Sequence, residues 1–137
     1  MARLGRLRAA AILAVGAALT LSGCGSASST EDCEEAFESA ALSVTGVSAA
    51  EFTCTESFGD PQQEGTVTLS AGTEEEALGI LDDVLQAYAS SAGLEDAMLP
   101  YVDYASEDAK LDVHASDLGF NGSPSIGVLR DHYGIEP

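Results

Sequence analysis

The chain has 137 residues and a net charge of −18 at pH 7, with five lysines and arginines against 23 acidic residues. A surface this acidic repels phosphate backbones and anionic lipid head groups, which argues against nucleic-acid binding and against a purely electrostatic hold on a membrane. Hydrophobic residues make up 45% of the sequence, enough for one domain with a single core.

The first 23 residues have the layout of a secretory signal peptide. Arg3, Arg6 and Arg8 form a basic start, and a largely apolar run follows from Ala9 to Leu21. A membrane-spanning helix needs roughly 20 apolar residues, and this run is shorter. The sequence therefore predicts export, with an ordinary secretion signal or a retained helix as the alternatives.

Leu21, Ser22, Gly23 and Cys24 close this segment. In that order they resemble the lipobox of bacterial lipoproteins. The resemblance implies that a diacylglycerol is attached to the Cys24 sulfur and that residues 1–23 are removed. Because two acyl chains hold a protein stably where one is marginal, it also implies lipid anchoring at the extracytoplasmic face of the cell membrane.

Cys33 and Cys54 remain as an even pair once Cys24 is modified. In an oxidising compartment such a pair favours a disulfide, which would close a loop of about 20 residues and contribute roughly 3 kcal/mol. Two free buried thiols or half of a metal site are the alternatives. A metal site lacks support, because the sequence has no Cys-x-x-Cys and no second pair.

Residues 24–30 are small and polar and are interpreted as a flexible tether, followed by an acidic α+β domain over residues 31–137. Ser29 or Thr30 caps a first helix whose early acidic residues suit the positive end of the helix dipole. Gly46 ends this helix. Its apolar face is predicted to contain Cys33, Phe37, Ala40, Ala41 and Val44.

Alternation of apolar and polar residues then predicts two strands, over residues 51–58 and 66–71. A turn-rich connection over residues 59–65 joins them into a hairpin. The side chains expected to face the core are Phe52, Cys54, Phe58, Val67, Leu69 and Ala71.

A capping box of Thr73 and Glu76 opens a second helix that stops by Gly93. Its apolar stripe comprises Ala77, Leu78, Leu81, Val84, Leu85 and Tyr88.

Two further strands are predicted over residues 101–105 and 110–115, with a turn between them. Ser123, as a cap before Pro124, begins a short closing helix that ends at Gly134.

The order of elements predicts an α+β fold: a four-stranded antiparallel sheet from two hairpins, two helices on one face and a short C-terminal helix. This arrangement has a permuted ferredoxin-like look. Together with Leu118-Gly119-Phe120 and residues 129–134, it resembles small uncharacterised lipoproteins of high-GC Gram-positive bacteria. That resemblance implies no activity and no site residues.

The uncovered face of the sheet is the first candidate site. A threonine-rich face with tyrosines can dock a protein partner, because tyrosine offers a large contact area at low entropic cost. Tyr101 or Tyr104 is expected on this face. The other residues predicted there are Thr53, Thr55, Thr66, Thr68, Asp112 and His114. The predicted function is therefore a non-catalytic binding or accessory module of the cell envelope.

A small envelope hydrolase that uses His114 with Asp112 is one alternative, and a cation-binding protein that uses its acidic pairs is another. The sequence has no nucleophile turn and no phosphate loop or zinc spacing, so it predicts neither cofactor nor metal. A cation, if bound, is expected at Glu107-Asp108 with Asp103. A concave pocket around His114 and Asp112 would favour the enzyme, and a flat face beside tyrosines would favour binding.

Overall fold

The computed structural model describes residues 29–136. This part of the chain contains three α-helices, four strands and one short 3₁₀ helix. The predicted signal peptide, the lipobox-like residues with Cys24 and most of the predicted tether lie outside these residues. No helix in the described part is long and apolar enough to cross a membrane. In chain order the elements are α1 (Thr30–Leu42), β1 (Val47–Ser57), β2 (Asp60–Leu69), α2 (Glu74–Ser90), β3 (Pro100–Ser106), β4 (Asp112–Val113), a 3₁₀ helix (Ala115–Leu118) and α3 (Ile126–Tyr133).

Ser29 caps α1, one of the two caps that the sequence predicts. Its hydroxyl accepts a hydrogen bond from the Asp32 amide at 3.1 Å, and the Asp32 carboxylate accepts one from the Ser29 amide at 3.2 Å. This reciprocal pair satisfies two amides at the start of the helix. Ser29 and Thr30, assigned to the tether from the sequence, therefore belong to the capped start of α1.

The first hairpin is longer than predicted, and its turn is much shorter. Ser57 pairs with Asp60, so the turn consists of Phe58 and Gly59 alone, with φ of 55° and 83°. Two consecutive residues with positive φ are typical of a type I′ turn, whose twist matches that of the strands. The predicted core position of Phe58 is wrong, since its side chain is fully exposed at the hairpin tip.

The four strands lie in chain order across one mixed sheet. The two hairpins are antiparallel as predicted, but β2 and β3 run parallel, so the prediction of a wholly antiparallel sheet is wrong at this pair. The 17 residues of α2 span about 25 Å and return the chain to the start of β2. Pro100 therefore lies opposite Gln63, and β3 runs in the direction of β2.

The strand order also differs from the expected permuted ferredoxin-like arrangement. In a split βαβ unit, another strand lies between the two strands that flank the helix. Here β2 and β3 flank α2 and are direct hydrogen-bonded neighbours. The α+β class is thus confirmed, whereas the ferredoxin-like topology is wrong.

Thr73 caps α2 as predicted, because its hydroxyl accepts a hydrogen bond from the Glu76 amide at 3.2 Å. The Glu76 carboxylate accepts one from the Gly72 amide at 2.8 Å rather than from Thr73. The closing helix α3 is capped by Ser125, not by Ser123, and its cap accepts from the Val128 amide at 3.2 Å.

Both long helices pack on the same face of the sheet and enclose the core. The Phe37 ring from α1 stacks on Phe52 from β1, with ring centroids 5.0 Å apart. Tyr88 from α2 meets the edge of Phe37 at 5.4 Å, so three elements join in one aromatic cluster. The sulfurs of Cys33 and Cys54 lie at bonding distance, which fastens α1 to β1 as the sequence predicts.

Gly65 is required by the close approach of the Phe52 ring. A Cβ atom at residue 65 would lie 2.5 Å from Cε1 of Phe52, inside the core. We expect Gly65→Ala to lower the free energy of unfolding by about 1–3 kcal/mol, measured by urea denaturation. Gly79→Ala is the matched control, since its Cβ would meet nothing within 4 Å and alanine favours a helix. Equal stability of Gly65→Ala and wild type would contradict this packing.

Two buried tyrosines make the fold sensitive to alkali. Burial raises the pKa of Tyr104, and burial together with the neighbouring Tyr104 raises that of Tyr88. A raised folded-state pKa means that the stabilising contribution is complete below the ordinary value of about 10 and is lost as pH rises above it. We therefore expect stability to fall steeply above pH 10. Tyrosinate absorbance near 295 nm should rise over the same pH range, as the buried tyrosines ionise on unfolding.

Tyr88→Phe separates this ionisation from general alkaline damage. The Tyr88 hydroxyl is buried beside Tyr104, and within residues 29–136 no group meets it with good hydrogen-bond geometry, so its removal should cost little at neutral pH. The variant should lose stability less steeply above pH 10. An unchanged alkaline profile would show that Tyr88 does not contribute.

Candidate functional site

The exposed face of the sheet carries two rows of paired polar side chains across β1, β2 and β3. Partners in a sheet point to the same face, so each row presents its side chains together. One row contains Thr53, Glu64 and Tyr101, and the next contains Glu51, Thr66 and Asp103.

These rows form the floor of a shallow groove of about 670 Å³. Three carboxylates, from Glu51, Glu64 and Asp103, come from three neighbouring strands and surround Thr66. The lining also contributes three hydroxyl-bearing residues, Thr53, Thr66 and Ser123, and the ring of Tyr101. The groove is lined by Glu51, Thr53, Glu64, Gly65, Thr66, Tyr101, Val102, Asp103, His114 and Ser123.

The charge of the groove is not balanced by nearby cations. None of its described lining residues is a lysine or arginine. The only such residues beyond the N-terminal segment are Lys110, whose ammonium lies 3.7 Å from the Asp108 carboxylate, and Arg130, which is buried. His114 is the one lining residue that can carry positive charge. The groove therefore favours cationic groups.

The structure brings half of the predicted partner face into the groove. Thr53, Thr66 and His114 line it, together with Tyr101 of the two alternative tyrosines. Tyr104 instead lies in the core. The remaining predicted residues, Thr55, Thr68 and Asp112, do not line the groove.

The sequence does not predict Glu51 or Glu64 as site residues, and it places Asp103 at a cation position and Ser123 at a helix cap rather than in this groove. Glu51 and Asp103 could have been predicted on this face. Each lies two residues from Thr53 or Tyr101 on the same strand, so its side chain points to the same side of the sheet. The sequence predicts a loop at Glu64, and only the short turn at Phe58-Gly59 places this residue on the sheet. Ser123 reaches the groove because the segment after the 3₁₀ helix folds back towards the sheet. The sequence has no local pattern that predicts this path.

His114 and Asp112 meet the expectation for an enzyme only in part. His114 borders the groove and a smaller cavity of about 180 Å³ that also includes Ser123, but Asp112 lines neither. Nε2 of His114 lies 3.7 Å from Oδ2 of Asp112, beyond hydrogen-bonding distance, and both side chains are well exposed. A solvated pair at this distance does not orient an imidazole as a general base.

In each of the acidic pairs Asp82-Asp83, Glu95-Asp96 and Glu107-Asp108, one carboxylate has a structural partner within the fold. The Asp82 carboxylate accepts a hydrogen bond from the Tyr133 hydroxyl at 2.6 Å. Burial is the larger cause that raises the pKa of Tyr133, and the hydrogen bond to Asp82 raises it further. Asp96 forms an ion pair with Arg130. In the β3–β4 turn, Glu107 accepts from the Ser70 hydroxyl at 3.0 Å.

The predicted cation position at Glu107-Asp108 with Asp103 is not assembled. Asp108 accepts hydrogen bonds from the Ser106 hydroxyl at 2.7 Å and the Lys110 amide at 3.2 Å, which lower the pKa of its carboxyl. Asp103 lies in the groove on the sheet instead. Among residues 29–136, no group of three or more His, Cys, Asp or Glu side chains is arranged to hold a metal ion.

Comparison with known proteins gives no relative from which a role could be transferred. No protein-family model matches the chain, and no curated protein or solved structure is significantly similar to it.

Proposed function

We propose that this protein is a lipid-anchored, non-catalytic binding or accessory module of the cell envelope. A diacylglycerol on Cys24 would hold it at the extracytoplasmic face of the membrane. The signal layout and the lipobox-like residues support this proposal, as does the Cys33–Cys54 disulfide, since such bridges persist in oxidising compartments.

The groove on the sheet is the proposed binding site, and its charge carries the proposal. Glu51, Glu64 and Asp103 converge on one surface whose described lining contains no lysine or arginine. A protein partner that presents lysine or arginine side chains would neutralise these carboxylates. The exposed Tyr101 ring offers a contact at the centre of such an interface.

A hydrolase that uses His114 is the weaker proposal. The imidazole is solvated, and Asp112 lies outside the groove. Within residues 29–136, no hydroxyl group that lines the groove forms a hydrogen bond with the His114 side chain. The groove supplies charge and contact area rather than an oriented nucleophile and base.

Photo-crosslinking in the intact envelope tests the binding proposal. A photoreactive amino acid replaces Thr66 at the centre of the groove in the full chain. We expect discrete crosslinked species that weaken as salt rises, because charge pairing is screened.

The triple variant Glu51→Gln, Glu64→Gln, Asp103→Asn should abolish these species. A matched variant, Glu35→Gln, Asp83→Asn, Glu136→Gln, removes the same charge from exposed positions outside the groove and should retain them. Equal crosslinking by the two triple variants, or none from residue 66 in the wild-type background, would reject the groove as the binding site.

A further inference from the structure

We propose that Phe58, at the tip of the β1–β2 hairpin, inserts into the membrane interface as a second contact beside the lipid. This inference rests on the proposed anchoring at Cys24. It concerns a residue that lies outside the groove and that the proposed partner site does not use.

Neither the backbone conformation at residue 58 nor the packing of the domain favours a phenylalanine there. Its φ of 55° lies in the left-handed region, where a bulky side chain is unfavourable and where Asn, Asp or Gly is normally found in a type I′ turn. Its ring is also fully exposed to water. Local strain and an exposed aromatic ring at one residue point to a contact outside the domain.

The hairpin tip lies at the end of the domain where the described chain begins. The disulfide joins Cys33, in the first turns of α1, to Cys54, near the end of β1, with Cα atoms 6.2 Å apart. A cavity of about 470 Å³ is bordered by Ser29 at the start of α1 and by Glu56 and Pro61 of the hairpin. Phe58 is two residues beyond Glu56, about 7 Å further along the strand direction.

The length of chain before α1 keeps this end of the domain close to the bilayer. Five peptide steps separate Cys24 from Ser29, which span at most about 18 Å when fully extended. Leu42 lies at the other end of α1, about 18 Å from its start. Phe58 is thus a fully exposed large apolar residue at the end of the domain where the tether joins α1, whereas the exposed Leu42 lies at the far end of α1.

The charges around the tip define the lipid surface that it fits. Glu56 and Asp60 flank the turn and repel anionic head groups, so insertion should rely on the ring and favour zwitterionic lipid. An aromatic ring is stable at the boundary between head groups and acyl chains. The contact would add orientation to the affinity that the diacylglycerol supplies.

Tryptophan fluorescence tests the proposal directly, because the chain contains no tryptophan. Phe58→Trp is prepared in the full chain, recovered from membranes with its lipid and reconstituted in zwitterionic vesicles. We expect a blue-shifted emission and at least threefold stronger quenching by brominated lipid than for Leu42→Trp. Added anionic lipid should reduce this difference.

Co-sedimentation with the vesicles separates the two proposals. If the protein does not sediment with vesicles, anchoring at Cys24 fails, and this inference fails with it. If it sediments but residue 58 is quenched by acrylamide as strongly as residue 42, only the insertion of Phe58 is overturned. Protection in native envelopes without quenching by brominated lipid would assign the tip to a protein partner and also overturn it.

Phe58→Asn guards against an effect on folding. Asparagine suits the turn, so the variant should melt at the same temperature as the wild type or higher while still sedimenting with vesicles. A lower melting temperature would show that Phe58 serves the fold and would contradict the argument.

Discussion

Replacing Arg130 with methionine is expected to lower the free energy of unfolding by about 3–5 kcal/mol, because several buried acceptors lose their donor. Only 7% of Arg130 is exposed. Its guanidinium donates to the Ala89 carbonyl at 3.0 Å, to the Ser91 carbonyl at 2.7 Å and to the Leu94 carbonyl at 2.8 Å. A further bond reaches Asp96, so one side chain ties α3 to the last turn of α2 and to the segment that follows it.

Guanidinium chloride denaturation measures this loss. Lys110→Met is the matched control, since Lys110 is exposed and its ion pair with Asp108 contributes little; the expected change is within about 0.5 kcal/mol. Arg130→Lys should also be clearly destabilised, because an ammonium cannot reproduce the planar fork of donors. A loss below about 1 kcal/mol for Arg130→Met would contradict the assigned role.

Removal of the disulfide by Cys33→Ala with Cys54→Ala is expected to cost about 3 kcal/mol. The bridged residues are 21 positions apart, and the bridge restricts the unfolded chain. Thermal unfolding measures the effect. Reductant should lower the melting temperature of the wild type towards that of the double variant and leave the variant unchanged. A wild type that melts at the same temperature with and without reductant would contradict the bridge.

The same variant should also associate at high concentration. The carboxylates of Glu38 and Glu34 on α1 accept hydrogen bonds from the Phe52 and Cys54 amides, at 3.1 and 3.0 Å. These amides lie on the free edge of β1, so α1 occupies donors that another strand could use. Loosening α1 would expose them, and sedimentation velocity should detect the resulting oligomers.

The helices were predictable because their starts carry explicit chemical signals. Thr73 and Glu76 satisfy amides at the start of α2, and the spacing of the apolar residues fixes which face is buried. Ser123 was an incorrect cap for α3, since Ser125 offers the same hydroxyl two residues later. Composition alone does not distinguish two serines on either side of Pro124.

The direction of β3 could have been predicted. A helix as long as α2 returns the chain to the start of the preceding strand, so β3 is parallel to β2 if the two are neighbours. The hairpin turn could not have been predicted in the same way. Phe58 is not a residue that indicates positive φ, and Gly59-Asp60-Pro61 suggests a longer loop.

These two errors also limited the prediction of the groove. Strand parity placed Thr53 and Thr66 on the correct face, but the loop assignment removed Glu64 from the sheet. The meeting of Glu51 with Asp103 depends on the parallel register of β2 with β3. Nothing local in the sequence distinguishes Arg130 as buried, because its acceptors lie more than 30 residues earlier.

Mass spectrometry of the mature N-terminus tests the central proposal most directly. The protein is recovered from the membrane fraction of cells that express the full chain and is digested without removing thioester or thioether lipids. We expect the first residue to be Cys24 with a diacylglycerol on its sulfur, and Cys24→Ala to leave the membrane fraction. A peptide that retains residues 1–23 with an unmodified Cys24 thiol, recovered from the cytosol, would contradict the account.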